Sequence, residues 1–261
     1  MTRNVPHQTI LDQARTLEKW QTRVLILSTI STIASLALNA FAANTYIKSH
    51  PGFLTWANAT ATLFSVAFIV LDVLINTRFY VGGREKRTDL IDHAFDTNFS
   101  GERSTGYFNP GGISPGVYKL AVLGFENSLF TCTVAKKMIL RKWIITSVIF
   151  ILFIVSACIG NKDLVNDLLQ VTATGVLVLQ AIRLQQFANR IGTIHEEFKT
   201  LFNRLENETD KSKSEGEMVK NVLNYEATIA WGTILTDTNI FDELNPALSA
   251  KWENMKQGYK I

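Results

Sequence analysis

The chain has 261 residues, 47% of them hydrophobic and 19% charged, with a formal net charge of +3 and two cysteines. That length holds one or two domains, and cysteines as far apart as Cys132 and Cys158 exclude a disulfide framework and a cysteine-spaced metal site. The averages hide a segregation: residues 24–47, 49–71, 143–161 and 168–182 contain no Asp, Glu, Lys or Arg.

The chain opens with a polar, charged arm over residues 1–23. It has no short apolar core followed by a small-residue cleavage site, so it does not read as a signal peptide. Ile10, Ala14, Leu17, Gln21 and Val24 recur at helical spacing and give the arm one sticky face. The first uncharged run predicts a membrane span over Val24–Ala43 and the second a span over Phe53–Ile75, each close to the ~20 residues that cross a bilayer. Both are rich in small and hydroxylic residues. Ser28, Ser31, Ser35 and Asn39 lie in the first, Asn58, Thr62 and Asp72 in the second. Such side chains let helices approach and bond across an interface, or they line a wettable path in an oligomer; both readings stay open. Asp72, one turn from Asn76 and near Arg78, is expected at the inner membrane surface.

Residues 76–142 form a long polar insert. Its segment 87–99 predicts a short amphipathic helix, with Leu90, Ile91, Ala94, Phe95 and Phe99 on the apolar face. Asp89, Asp92, His93 and Asp96 fall on the other, as a solvated face or, less economically, as ligands for a divalent ion; no metal site is expected. The stretch "GERSTGYFNPGG" follows, its glycines and Asn109-Pro110-Gly111 marking turns. Arg103, Thr105, Tyr107 and Asn109 offer a cation, a hydroxyl, an aromatic face and an amide. That set suits a nucleotide-like ligand, and it equally suits a loop folded on itself. "YKLAVLGFENSLFTCTVAKKMILRKW" reads as a helix running into a third span, Trp143–Gly160, with Lys136, Lys137, Arg141 and Lys142 anchoring it to anionic lipid.

The fourth span, Leu164–Leu184, continues without a break into a helical extension over residues 185–206. There Leu184, Phe187, Ile191, Ile194, Phe198, Leu201 and Leu205 alternate spacings of three and four, an a/d stripe. The stripe either packs within the protomer or serves as the stalk of an oligomer. A charged linker, "NETDKSKSEGE", leads to a final helical module in which Asn245 is expected as the cap of a last helix and Pro246 as its first residue. Of the 26 Lys and Arg, only Lys48 and Lys162 fall in the two short loops between paired spans. The positive-inside rule therefore places both termini and the insert in the cytoplasm. The expected architecture is an all-α, multi-pass protein: a cytoplasmic arm (1–23), spans 1 and 2 (24–75), a cytoplasmic insert (76–142), spans 3 and 4 (143–184) and a cytoplasmic helical tail (185–261). No Walker loop, HExxH, G-x-S-x-G or CxxC occurs, so no enzyme and no cofactor is expected.

Two stretches carry a likeness. "LIDHAFDTNFSGERSTGYFNPGG…KLAVLGFENSLFT", joined to "NYEATIAWGTILTDTNIFDELNPALSAKWENMKQGY", resembles the SMODS-associated four-transmembrane effectors of bacteria and the related SLATT proteins. The resemblance implies a homo-oligomeric effector of anti-phage defence in the bacterial inner membrane. Such an effector is driven by a cyclic nucleotide or a soluble sensor protein encoded nearby, without direct nucleic-acid binding, to permeabilise the membrane and arrest or kill the cell. The ligand residues it implies are Arg103, Thr105, Tyr107, Asn109, Lys119, Glu126 and Asn127. The rival reading is a membrane-anchored sensor or scaffold that recruits a soluble partner and forms no pore.

Overall fold

The computed structural model describes residues 5–40, 52–105, 108, 111–159 and 164–261. These residues are all-helical, 85% helix and without strands. The six helices are α1 (Pro6–Ala40), α2 (Gly52–Phe95), α3 (Val117–Ile159), α4 (Leu164–Leu205), α5 (Glu215–Gly232) and α6 (Thr238–Gly258), with a 3-10 turn at Lys211–Ser214. The expected continuity of apolar run and polar extension is present in α1, α3 and α4.

Two boundaries differ from those expected. Residues 87–95 are not a separate helix but the last turns of α2, which runs unbroken through Gly82-Gly83. Gly82 is there for contact: a Cβ on it would stand 2.9 Å from Leu11 of α1, so the missing side chain lets the two helices approach. At the other end, α6 starts at Thr238 and not at Pro246. Asp237 caps it by accepting from the amides of Asn239 and Ile240 at 2.9 and 3.3 Å. That cap nucleates the helix two turns early, and Pro246 lies inside it.

The helices contribute to two compact units. One contains Met1–Gln13, Arg78–Leu140 and Arg183–Ile261. Its core is built on α3, where Leu120–Phe125 are buried without interruption. The Phe125 ring is surrounded by those of Phe202 (5.0 Å between centroids), His195 and Trp252 (both 5.4 Å), Tyr259 (5.6 Å) and Phe198 (5.8 Å). Two glycines set the helix spacing. A Cβ on Gly124 would stand 3.1 Å from both Phe198 and Val222, and one on Gly232 would clash with the edge of the Phe187 ring. Gly232→Val should cost roughly 1–3 kcal/mol of stability by overpacking. A thermal melt of the purified chain reads this, and an unshifted midpoint would mean that Phe187 swings aside freely.

The a/d stripe of α4 is part of this core. Phe187, Ile191, Ile194, Phe198, Leu201 and Leu205 are all at most 6% exposed within a single chain. The reading of this stripe as the exposed seam of an oligomer stalk is corrected accordingly: its side chains are buried within the chain, with Phe125 of α3 on Phe198 and Gly232 of α5 against Phe187.

The other unit contains Ala14–Thr77 and Arg141–Ile182. It buries Ala14, Leu25, Ile75, Leu177 and Ala181 together with the polar Gln21, Ser28 and Thr146, whereas Ile26, Leu27, Ile30, Leu63, Val66, Ile69, Val70, Val73, Ile144, Ile145, Val148, Ile151 and Ile154 are exposed. Among the described residues one stretch, Thr62–Phe95, is long and apolar enough to cross a membrane. Only 11% of its apolar window is buried, although its last turns carry Leu90 and Ala94 into the core around Phe125.

Candidate functional site

The loop after α2 is held by two aspartates. α2 ends in a Schellman turn. Asp96 adopts φ 59°, and the amide of Thr97 donates back to the Asp92 carbonyl at 3.2 Å. This aims the following backbone at the Asp92 carboxylate, which accepts from Thr97 Oγ1, the amides of Phe99 and Ser100 (all 2.7 Å) and Ser100 Oγ (2.6 Å). The far end of the loop returns to the same helix end, where the Gly116 amide donates to Ala94 O at 2.8 Å.

Asp89, one turn earlier, gathers three segments. The Ser104 amide donates to its Oδ1 at 3.0 Å, His93 Nε2 stands 3.5 Å from the same oxygen, and His7 Nδ1 lies 3.4 Å from Oδ2. Burial raises the Asp89 carboxyl, but the bonds from His7 and Ser104 and the nearby His93 outweigh it and hold the group below its usual range. The expected amphipathic split of 87–99 is thus partly reversed. Asp89 and Asp92 are buried, Leu90 and Ala94 are buried with them, and Ile91, Phe95 and Phe99 face outward. Donors of the returning loop satisfy the Asp92 carboxylate and Asp89 Oδ1, while the buried Asp89 Oδ2 has the His7 ring 3.4 Å away.

Among the described residues two histidine–serine pairs occur, and neither is arranged as a nucleophile and its base. His93 Nε2 lies 2.9 Å from the Ser104 carbonyl, which can only accept, so that nitrogen carries the proton and cannot take one from Ser104 Oγ at 3.3 Å. Ser128 Oγ donates to Phe125 O at 2.7 Å and therefore accepts from His195 Nδ1 at 2.9 Å. Burial, with Lys199 second, pushes His195 down to about 4, so it is neutral at pH 7. Among the described residues no group of three His, Cys, Asp or Glu could hold a metal ion.

Of the seven ligand residues expected from the sequence, the five that are described do not converge on one place. Arg103 is consumed by its own loop: Nε donates to Thr97 O at 2.7 Å and Nη1 to Asp96 at 2.8 Å. The Arg103 bond and charge lower the Asp96 carboxyl, with Lys119 adding a smaller contribution. Thr105 is exposed, and Tyr107 and Asn109 lie outside the described residues. Glu126 and Asn127 belong to a different neighbourhood, where α3 meets the tail. Tyr225 Oη lies 2.9 Å from Thr131 Oγ1 and donates to Asn127 O at 3.3 Å. Asn127 Nδ2 and both amide atoms of Asn221 are buried there without a hydrogen-bond partner. The two stretches that carry the family likeness therefore pack on each other, through Phe125–Trp252 and Asn127–Tyr225.

Burial pushes the Glu126 carboxyl up to about 7, against the opposing pull of Lys256. The folded chain then keeps a proton that the unfolded chain releases near 4.5, so this group's contribution to stability falls as pH rises from there to about 7. Glu126→Gln should raise the melting midpoint at pH 8 and leave it unchanged at pH 4. An equal gain at both pH values would assign the effect to packing.

Of the residues expected to pack the spans or line a pore, Asp72 joins two helices. It accepts from Gln21 Nε2 and from Asn76 Nδ2, both at 3.1 Å. Ser28 is buried, Ser31 half-buried and Thr62 exposed, and the side chains of Ser35, Asn39 and Asn58 lie outside those described.

One open groove appears that was not anticipated. It has a volume of about 400 Å³ and is walled by Arg190, Thr193 and Ile194 of α4 and by Asn224, Ala227, Thr228 and Trp231 of α5. The Arg190 guanidinium stacks 4.1 Å above the Trp231 ring. Each wall has helical spacing, so the two faces were visible singly in the sequence, but nothing local pairs them. No protein-family model, no curated protein and no solved structure matches the chain.

Proposed function

We propose that the chain is a four-span effector of bacterial anti-phage defence, set in the inner membrane with both termini, the insert and the tail in the cytoplasm. In this reading it is no enzyme. It assembles into homo-oligomers, and a cyclic nucleotide or a nearby-encoded sensor protein gates it to open a pore or disrupt the bilayer. The observation that carries the membrane part is the aliphatic exterior of the unit of Ala14–Thr77 and Arg141–Ile182. In water those aliphatic faces would cost about 25 cal/mol for each Å² left exposed, whereas acyl chains cover them. Along α2 the exposed Trp56 and Tyr80 stand about 36 Å apart at 1.5 Å per residue. That spacing matches a hydrocarbon core of about 30 Å bounded by interfacial aromatics. Gating, immunity and the bacterial setting are supported by the family likeness of the two stretches that meet around Phe125.

Two measurements test this reading. Single cysteines placed at residues 105 and 50, in a chain lacking Cys132 and Cys158, should react with an impermeant reagent from the periplasm only at residue 50. Labelling at residue 105 alone reverses the topology. Co-expression with its genomic neighbours under phage challenge should depolarise the cells and stop growth. Survival with full polarisation, together with retention of a soluble partner, would favour the scaffold reading.

A further inference from the structure

We propose that the α4–α5 groove is a binding site for a phosphate ester. The inference supplies the proposed effector with a regulatory site, and in that sense it rests on the reading above. Arg190 is the central group. Its guanidinium carbon lies 4.1 Å from the centre of the Trp231 ring, and the residue lines the groove. Among the described residues it has no carboxylate or carbonyl partner, unlike Arg103 on Asp96 and Arg204 on Glu208 and Glu217. A planar fork of donors held flat on an indole is the arrangement that takes an oxyanion in two bonds.

Of the acidic groups next along α4, Glu196 is held by Lys199 at 2.7 Å, and Glu197 has Lys220 at 3.7 Å while its buried Oε2 makes no hydrogen bond. The remaining polar lining suits the organic part of an ester. Thr193 gives its hydroxyl proton to Asn189 O at 3.2 Å and so turns an acceptor outward, while Asn224 and Thr228 add an amide and a second hydroxyl. Trp231 is 47% exposed, which leaves room on the indole for a ring or a glycerol backbone. The volume of about 400 Å³ exceeds what a bare phosphate fills.

A phosphate ester reaches this groove from two sources, as a soluble nucleotide-sized metabolite or as a phospholipid headgroup. Arg190 lies about 10 Å along α4 from Arg183, at 1.5 Å per residue, near the point where the proposed fourth span ends. The experiment uses the full chain in phosphatidylcholine nanodiscs at low salt. Ligand-detected NMR measures binding of AMP and of glycerol 3-phosphate, with adenosine and glycerol as phosphate-free controls.

At least one ester should bind and both controls should not. Arg190→Gln should weaken binding at least tenfold without moving the melting midpoint, and Arg183→Gln should have no effect. In phosphatidylglycerol nanodiscs, a drop in apparent affinity for the ester assigns the groove to a headgroup, and an unchanged affinity assigns it to a soluble ester. Failure of both esters to bind, equal binding by Arg190→Gln, or Arg190-dependent binding of a polyglutamate peptide in their place overturns the proposal. The outcome is separable from the effector reading. A chain that binds an ester through Arg190 yet never depolarises cells sinks that reading alone, and a chain that depolarises cells but binds neither ester sinks the groove alone.

Discussion

Phe198→Asp is expected to prevent the helical unit around Phe125 from forming, not merely to dissociate an oligomer. Phe198 has no exposed surface, stacks on Phe125 at 5.8 Å and leaves no space beside Gly124. A carboxylate there loses its hydration and gains no partner, and such burial costs several kcal/mol. The lost aromatic packing adds about 3 kcal/mol or more. Together these approach the whole stability of a typical domain, about 5–15 kcal/mol. The expected readouts are loss of near-UV circular dichroism and rapid proteolysis of the tail. Phe198→Leu, which keeps the position apolar, should retain both signals at a modest cost. A Phe198→Asp chain that melts like the parent and only runs as a smaller oligomer would return the stripe to the role of an exposed seam.

Asp92→Ala should release the loop after α2. Four donors converge on this buried carboxylate within 2.7 Å, and hydrogen bonds to a charged group contribute roughly 1.5–3 kcal/mol each before water replaces some of them. A net loss of about 2–4 kcal/mol is expected, concentrated in the loop. Amide hydrogen exchange at Phe99 and Ser100 should report it as faster exchange while the core amides around Phe125 stay protected.

The pH dependence has a definite sign. Burial raises the Asp92 carboxyl, but the bonds from Ser100, Phe99 and Thr97 overcome it and hold the group well below its ordinary 3.8. A depressed folded pKa contributes stability that is complete above the unfolded value and is lost as pH falls through and below it. The parent's protection at Phe99 and Ser100 should therefore decline between about pH 4 and pH 2. Asp92→Asn should start lower and stay flat across that window. A parallel decline in both chains would place the acid-sensitive group elsewhere, with Asp89 the first alternative.

The sequence by itself determined the local state of the backbone. Periodicity and charge-free length made 24–40, 143–159 and 168–182 helical, and the absence of proline carried α4 straight through into its extension. The three-four spacing of Phe187 to Leu205 required one apolar face. Those are properties of residues within a few turns of each other. Which surface would cover that face was not written locally. A heptad stripe offers the same knobs to another copy as to its own chain, and the choice fell to distant parts of the same chain: Phe125 of α3 stacks on Phe198 from 73 positions away, and Gly232 of α5 abuts Phe187.

The same limit applied to Asp89 and Asp92. A carboxylate on a helix reads as solvated until a loop returns with its amides in position, and that return depends on one left-handed residue, Asp96, and one amide, Gly116, twenty residues further on. Arg190 and Trp231 each read as an ordinary exposed residue on its own helix. Only the antiparallel passage of α4 and α5 lays one on the other, because hydrophobic contact fixes how far two helices slide while local spacing fixes only which faces they offer.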